Sequence, residues 1–335
     1  MTDTRPATPS IAERTRRVDA GGAVVAAHFL GEVAAFALGD ETLLLVPPDG
    51  EERRIVAHGG AILASACDDA RVVTGGDDGK VMATGRDGSS TVIATDPKRR
   101  WIDHVALGPD GAVAWSAGKQ AFVRTGKGDM REFEAPSSVG GLAFAPKGFR
   151  LAVSHYNGAT LWFPNAPNAT PEFLAWKGSH LAVTFSPDGR FLVTAMQEPT
   201  LHGWRVVDGR HMRMAGYAAK VRALSWSTGG KWLASSGSDQ LVLWPFAGKD
   251  GPMGKEPRLL APTDKRVVAV ACHPTQDVVA VGYENGLVLL VRIDDGAEIV
   301  ASKPGGAAAS ALAWNAAGAN LAFGCDDGRA GVLKL

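Results

Sequence analysis

Strand-like runs in this chain recur in groups that start near residues 24, 61, 101, 139, 180, 220, 266 and 308. Successive starts lie about 37 to 46 residues apart, the length of a four-stranded antiparallel unit that repeats. No other feature constrains the fold as strongly. A unit of this size cannot bury its apolar face alone, so the copies must pack on one another. Helical periodicity over ten or more residues is absent, which excludes alternating strand–helix architectures.

Several features move together through the repeats. A first strand ends in a large or apolar residue and a tight turn, as in Phe185-Ser186-Pro187-Asp188-Gly189, Phe144-Ala145-Pro146-Lys147-Gly148 and Trp226-Ser227-Thr228-Gly229-Gly230. Proline presets φ and glycine supplies the left-handed conformation that such turns require. A second strand follows, such as Leu192-Val193-Thr194 or Leu233-Ala234-Ser235, then an acidic or amide turn such as Asp78-Gly79 or Asn285-Gly286. Third strands often end in a large residue, as at Trp162, Trp204 and Trp244.

First strands can be counted at Val24, Ile62, Ile102, Val139, His180, Val221, Val267 and Ala309. The last group has only three strands. The lone strand near Arg14–Asp19 has the character of the missing fourth and is expected to complete it, which would remove a bare sheet edge. The expected fold is all-β: a single β-propeller of four-stranded antiparallel blades over residues 12–335, eight in number, behind a flexible tail at 1–11. Seven blades with an irregular first one is the competing count.

The chain resembles the WD-repeat β-propeller family. The resemblance covers about residues 12–335 and is strongest in Phe185-Ser186-Pro187-Asp188-Gly189 and from Leu233 to Trp244. In that family a histidine ahead of each blade joins a hydrogen-bonded set with a turn aspartate, a strand serine or threonine and a third-strand tryptophan. The resemblance therefore implies structural roles for His58 and Asp78 in one blade and for Tyr217, Ser235, Asp239 and Trp244 in another, Tyr217 replacing the histidine. No Trp-Asp dipeptide is present and no blade shows the whole set, so apolar packing between blades must carry most of the stability.

Composition narrows the function. Lys plus Arg and Asp plus Glu are 35 each, so no net field draws the protein to nucleic acid or membrane. Three cysteines without paired spacing argue against a disulfide framework or a zinc ribbon. A polar N-terminus without an apolar leader and the lack of any long apolar run point to the cytoplasm, and heavy use of Ala, Gly and Arg points to a bacterial source.

Catalytic motifs are missing. Gly75-Gly76-Asp77-Asp78-Gly79-Lys80 lacks both the spacing and the Ser/Thr of a phosphate loop and falls in a hairpin. His28, His104 and His180 fall on first strands, which line the channel of a propeller, where a wide wet channel would keep them apart. No metal, cofactor or enzymatic activity is expected. One set rises above background. The loops that feed the first strands carry Lys98-Arg99-Arg100-Trp101, Trp176-Lys177, Tyr217 with Lys220, and Lys265-Arg266. Arg, Trp and Tyr are enriched at binding hot spots. This rim is expected to dock another protein or an acidic peptide, with the chain acting as a monomeric scaffold. The alternatives are a small-molecule or metal accessory protein that uses the channel, and a propeller-type hydrolase or lyase with His104 and His180 at the channel mouth.

Overall fold

The computed structural model describes residues 8–335. Within them every strand pairing is antiparallel, and the strands form seven sheets. Six have four strands. The first sheet holds Val24–Leu30, Val33–Leu38, Thr42–Val46 and Arg53–Val56. The second, third, fifth and sixth repeat this meander from Ile62, His104, Leu224 and Val267. The seventh holds Ala311–Trp314, Asn320–Gly324, Arg329–Lys334 and, last, Thr15–Asp19. The N-terminal strand thus supplies the outer edge of the last sheet, in register from Thr15 opposite Leu333 to Asp19 opposite Arg329.

The fourth sheet differs. It joins six strands, two of them long: Leu151–Trp162 and Glu172–Phe185. The eight separate blades expected from the sequence are therefore seven hydrogen-bonded sheets, because the groups that start at Val139 and His180 are not separated by a break. Glu172–Phe185 runs through Trp176-Lys177-Gly178-Ser179 as one strand, with Gly178 at φ 114°, pairing with Leu151–Trp162 as far as Ser179 and with Phe191–Met196 from His180.

The flexible tail is expected over residues 1–11. Residues 1–7 lie outside the described residues. From Pro9 the chain is anchored: the Pro9 carbonyl accepts from the Val300 amide at 2.8 Å, and the Ile11 amide donates to the Val300 carbonyl at 2.9 Å.

First strands adjoin one another around a ring. Val24–Leu30 lies beside Ile62–Cys67 and Ala311–Trp314; His104–Leu107 lies beside Ile62–Cys67 and Gly141–Phe144; Val267–Cys272 lies beside Leu224–Trp226 and Ala311–Trp314. Between the fourth and fifth sheets, Trp226 Nε1 donates to Thr184 Oγ1 at 3.1 Å.

Burial follows position in the sheet. Middle strands such as Val33–Leu38, Thr42–Val46 and Phe191–Met196 are buried at every residue, since both faces pack on a neighbouring sheet. Outer strands alternate, as in Met130–Glu134. The apolar clusters span sheet boundaries: Phe191, Leu201 and Met212 of the fourth sheet pack with Leu233, Trp244 and Phe246 of the fifth. Burying apolar area between sheets is the main source of stability, at about 25 cal/mol per Å². Polar clasps join neighbouring sheets as well. Arg54 donates to the carbonyls of Asp19 and Ala20, Arg71 to Gly111, and Arg258 to Asp294. Glu32 accepts from Asn315 Nδ2 and Asn320 Nδ2, tying the first sheet to the seventh.

Candidate protein interaction face

One geometric rule sets the face. Each linker into a first strand is bonded to the second hairpin turn of a sheet beside it. Ile102 donates its amide to Gly76, Val139 to Gly118, Val267 to Ser238 and Ala309 to Tyr283. The turn of the following sheet closes on the same linker: Asp77 N bonds Ala61 O, Gln197 N bonds Ser179 O, Glu284 N bonds Arg266 O and Asp326 N bonds Ala308 O. The linkers and these turns therefore share one face of the ring, and the residues expected on the rim lie in it.

Their availability differs. Asp96 organises the Lys98–Trp101 loop. It is buried, its Oδ1 accepts the amides of Lys98 and Arg100 at 2.9 and 3.1 Å, and its Oδ2 accepts from Arg100 Nη2 at 2.6 Å. Burial pushes the Asp96 carboxyl up, yet these donors hold it below the usual carboxylate range. Arg100 also reaches Gln120 Oε1 at 2.5 Å and the Ala117 carbonyl at 3.4 Å. Arg100 is thus spent on holding its loop, contrary to its expected place on a docking surface. The same bonds present Trp101, 62% exposed, with Lys98 and Arg99 exposed ahead of it. Arg99 sits at φ 52°, sparsely populated by non-glycine residues. Gly79 makes room for it: at φ 77°, a Cβ there would come within 2.9 Å of the Arg99 Cα.

Five other expected rim residues turn inward or find partners. Tyr217 is buried; Trp244 Nε1 donates to its hydroxyl at 2.7 Å, which in turn donates to Ser235 Oγ at 2.6 Å, and Ser235 reaches the Val242 carbonyl at 3.3 Å. Burial pushes the Tyr217 phenol up to about 12. Tyr217 thus sits inside a buried hydrogen-bonded set and does not reach the surface of the rim. Asp239, expected in the same set, is instead bonded by Ser238 Oγ at 3.1 Å. Trp176 stacks on His202 with ring centres 4.1 Å apart, so only Lys177 of that pair is exposed. Arg266 pairs with Glu284 at 3.0 Å, Lys265 with Asp264 at 3.2 Å, and Lys220 donates to Gln197 Oε1 at 3.0 Å.

The other structural set is present. His58 Nδ1 lies 3.0 Å from Asp78 Oδ1 and its Nε2 2.8 Å from Thr74 Oγ1, while Gly59 N donates to Asp78 Oδ2. A carboxylate only accepts, so Nδ1 donates to Asp78.

The channel histidines do not meet. His28 Nε2 lies 2.8 Å from Ser65 Oγ, and burial lowers its pKa to about 4. His104 Nε2 lies 3.2 Å from the Val139 carbonyl. His180 leaves the channel altogether: it is buried in its sheet, with Nδ1 2.7 Å from Thr194 Oγ1 and Nε2 2.9 Å from the Trp176 carbonyl. A cavity of about 430 Å³ in the channel is lined by Val25, Leu63, Ser65, Asp103, His104 and neighbours. Among the described residues no three His, Cys, Asp or Glu side chains converge as metal ligands would.

Two features of this face were missed from the sequence. Tyr156, 58% exposed, stands in a hairpin turn beside Ser137 of the linker into its own sheet. Arg222 lines a cavity of about 160 Å³ with Lys220, Ser236 and Arg266. Its signal was legible: strand register aligns Arg222 with the apolar residues Leu63 and Val268 of other sheets.

Comparison with known proteins agrees with this architecture. Residues 264–335 match the model of the anaphase-promoting complex subunit 4 WD40 domain, and residues 211–244 match that of the WD domain, G-beta repeat. Telomerase protein component 1 of Rattus norvegicus is 27% identical over 248 residues, covering 71% of this chain, and that of Mus musculus is 26% identical over 246 residues. The chain spans only 9% of the length of these relatives. The crystal structure of the computationally designed Ika8 protein superposes with a TM-score of 0.75 at 19% identity, covering 94% of this chain and 96% of that one. The chain thus folds as a single all-β propeller, and its segments 211–244 and 264–335 are similar to WD40 repeats.

Proposed function

We propose that this protein is a non-catalytic adaptor that binds a partner protein through the linker face of its ring. The observation that carries this reading is the Lys98–Trp101 loop. Asp96, Arg100 and Gly79 hold an exposed tryptophan and two exposed cations in one fixed conformation. A surface ordered before binding loses less entropy on association. Tyr156 and Lys177 extend the same face with the same chemistry, an aromatic ring and a positive charge. Such a surface suits an acidic segment of another protein.

The test is affinity purification with mass spectrometry from the source cell, comparing the wild type with the double variant Arg99→Glu, Trp101→Ser. Val207→Ser serves as a control, since Val207 is 87% exposed but lies in the turn after a third strand, away from the linkers. Loss of a partner in the double variant alone supports the reading. Equal recovery with all three proteins refutes it.

We also read the six-stranded sheet as two fused blades, making eight in all. His155 Nε2 lies 2.9 Å from Thr160 Oγ1 although five residues of extended chain span about 16 Å. Leu151–Trp162 must therefore double back, with Asn157 at φ 69° and Gly158 at φ 148° in the bend. An experimental structure with seven inner strands around the channel would overturn this count. We further read the protein as a cytoplasmic monomer of bacterial source; light scattering at a mass other than 34.9 kDa would refute the monomer.

A further inference from the structure

We propose that the cavity between the fifth and sixth sheets is a phosphoryl-binding site for a phosphorylated serine or threonine side chain of the partner. This deepens the adaptor reading and rests on it. The cavity, about 160 Å³, is lined by Lys220, Arg222, Ser236, Arg266 and the backbone around Ala219 and Val267.

Strand register explains why Arg222 is there. In the first, second and sixth sheets the first strand bulges near its start, at Val25, Leu63 and Val268. A bulge re-aims its side chain out of the regular alternation. Val25 and Leu63 are accordingly exposed despite being apolar. Arg222 holds the matching position in the fifth sheet. Ser236 pins the backbone there, its Oγ accepting the amides of Arg222 and Ala223 at 3.1 and 3.0 Å. Ser236 is buried, and no acceptor among the described residues takes its hydroxyl proton. The Arg222 guanidinium likewise has no hydrogen-bonded or ionic partner among the described residues.

Charge selects the ligand. Lys220, Arg222 and Arg266 bring three positive charges, and Glu284 on Arg266 returns one negative charge. Among the described residues Lys220 Nζ bonds the neutral Gln197. The remainder, three minus one, is about two positive charges, which matches the −1.5 to −2 of a phosphorylated side chain. A carboxylate would neutralise half of it. Guanidinium and hydroxyl donors are also the groups that bind phosphoryl oxygens with short, charge-assisted bonds.

The test uses the ¹⁵N-labelled full chain titrated with the capped peptide Ala-Ala-phosphoSer-Ala-Ala. Its unphosphorylated and Glu-substituted forms and inorganic phosphate serve as comparisons. The expected result is saturable shifts at the amides of Lys220, Arg222 and Ser236. Affinity for the phosphopeptide should exceed that for each of the other three probes by about tenfold, and Arg222→Ala should remove the difference. Arg222 is exposed, so this variant should melt with the wild type. Equal affinity for the Glu peptide or for inorganic phosphate would overturn the assignment, as would shifts unchanged by Arg222→Ala. Because the titration needs no partner, failure here leaves the Trp101 face intact. Repeating it in the Arg99→Glu, Trp101→Ser variant should change nothing.

Discussion

The units that begin at Trp176 and at Tyr217 are built on one register and solve the same problem differently. Thr194 and Ser235 occupy equivalent second-strand positions, and Trp204 and Trp244 equivalent third-strand positions, opposite Leu192 and Leu233. The residue seven before the inner-strand partner is Trp176 in one and Tyr217 in the other. Around Tyr217 the polar atoms form a closed relay: indole N–H to phenol, phenol to serine, serine to carbonyl. Around Trp176 they do not. An indole side chain offers no acceptor, so Trp204 Nε1 has no partner among the described residues though the residue is 1% exposed. His180 reaches over to serve Thr194 in place of the missing group. His202 is fully buried, with both ring nitrogens unpartnered among the described residues, stacked under Trp176 and beside His211. One aromatic residue exchanged for another turns a saturated core into an unsaturated one, and the ring tolerates it because packing between sheets supplies most of the stability.

The sharpest way to break the comparison is truncation. Trp244→Ala should cost about 3–5 kcal/mol by urea denaturation, since it removes a buried indole and opens the relay. Next, Trp244→Phe and Trp204→Phe should part company. The first strands the Tyr217 hydroxyl without its donor and should cost about 1–2 kcal/mol more than the second, which loses no hydrogen bond. Equal costs would show that the relay adds nothing to packing.

Acid probes the unsaturated unit. Burial, with help from the charges of His180, His211 and Arg213, lowers the His202 pKa to about 3, against 6.5 when unfolded. Above pH 6.5 neither state takes up a proton there. Below it the unfolded chain does and the folded one does not, so stability falls as pH drops toward 3. His202→Phe keeps the stacked ring and removes this liability. Relative to the wild type it should gain about 2 kcal/mol on going from pH 7 to pH 5. Parallel pH profiles would mean that His202 is already paired or charged. The smallest effect belongs to Asp239→Ala. Its carboxylate lies outside the relay, so the change should stay within about 0.5 kcal/mol.

Local chemistry made much of this legible in advance. The period, the Pro-Asp-Gly turns and the three-strand last group depend on residues near one another in sequence, and they led directly to Thr15–Asp19 pairing with Arg329–Lys334. His58 with Asp78 and Tyr217 with Trp244 were found because the repeat aligns them. The rim was harder. Whether a cation is free depends on what the fold sets opposite it. Arg100 faces Asp96 and Gln120, Arg266 faces Glu284, and Trp176 faces His202; neither spacing nor composition reveals those encounters. Sheet boundaries near Ser179 were hidden for a related reason. A linker that stays strand-paired on both sides fuses neighbouring units, and its Gly178, at φ 114°, looks in sequence like any other turn glycine.

Pairing Thr15–Asp19 with Arg329–Lys334 also orders events in time. The ribosome releases Thr15 early and Leu333 more than three hundred residues later. At about 5–20 residues per second the first strand waits tens of seconds for its neighbour. Throughout synthesis the ring therefore stays open, with Thr15–Asp19 unpaired and the packing faces on either side of the gap exposed. Glu32 waits equally long for Asn315 and Asn320. A nascent or prematurely stopped chain is thus distinguishable from a finished one by this unpaired strand and these exposed faces, which are what chaperones and proteases would meet.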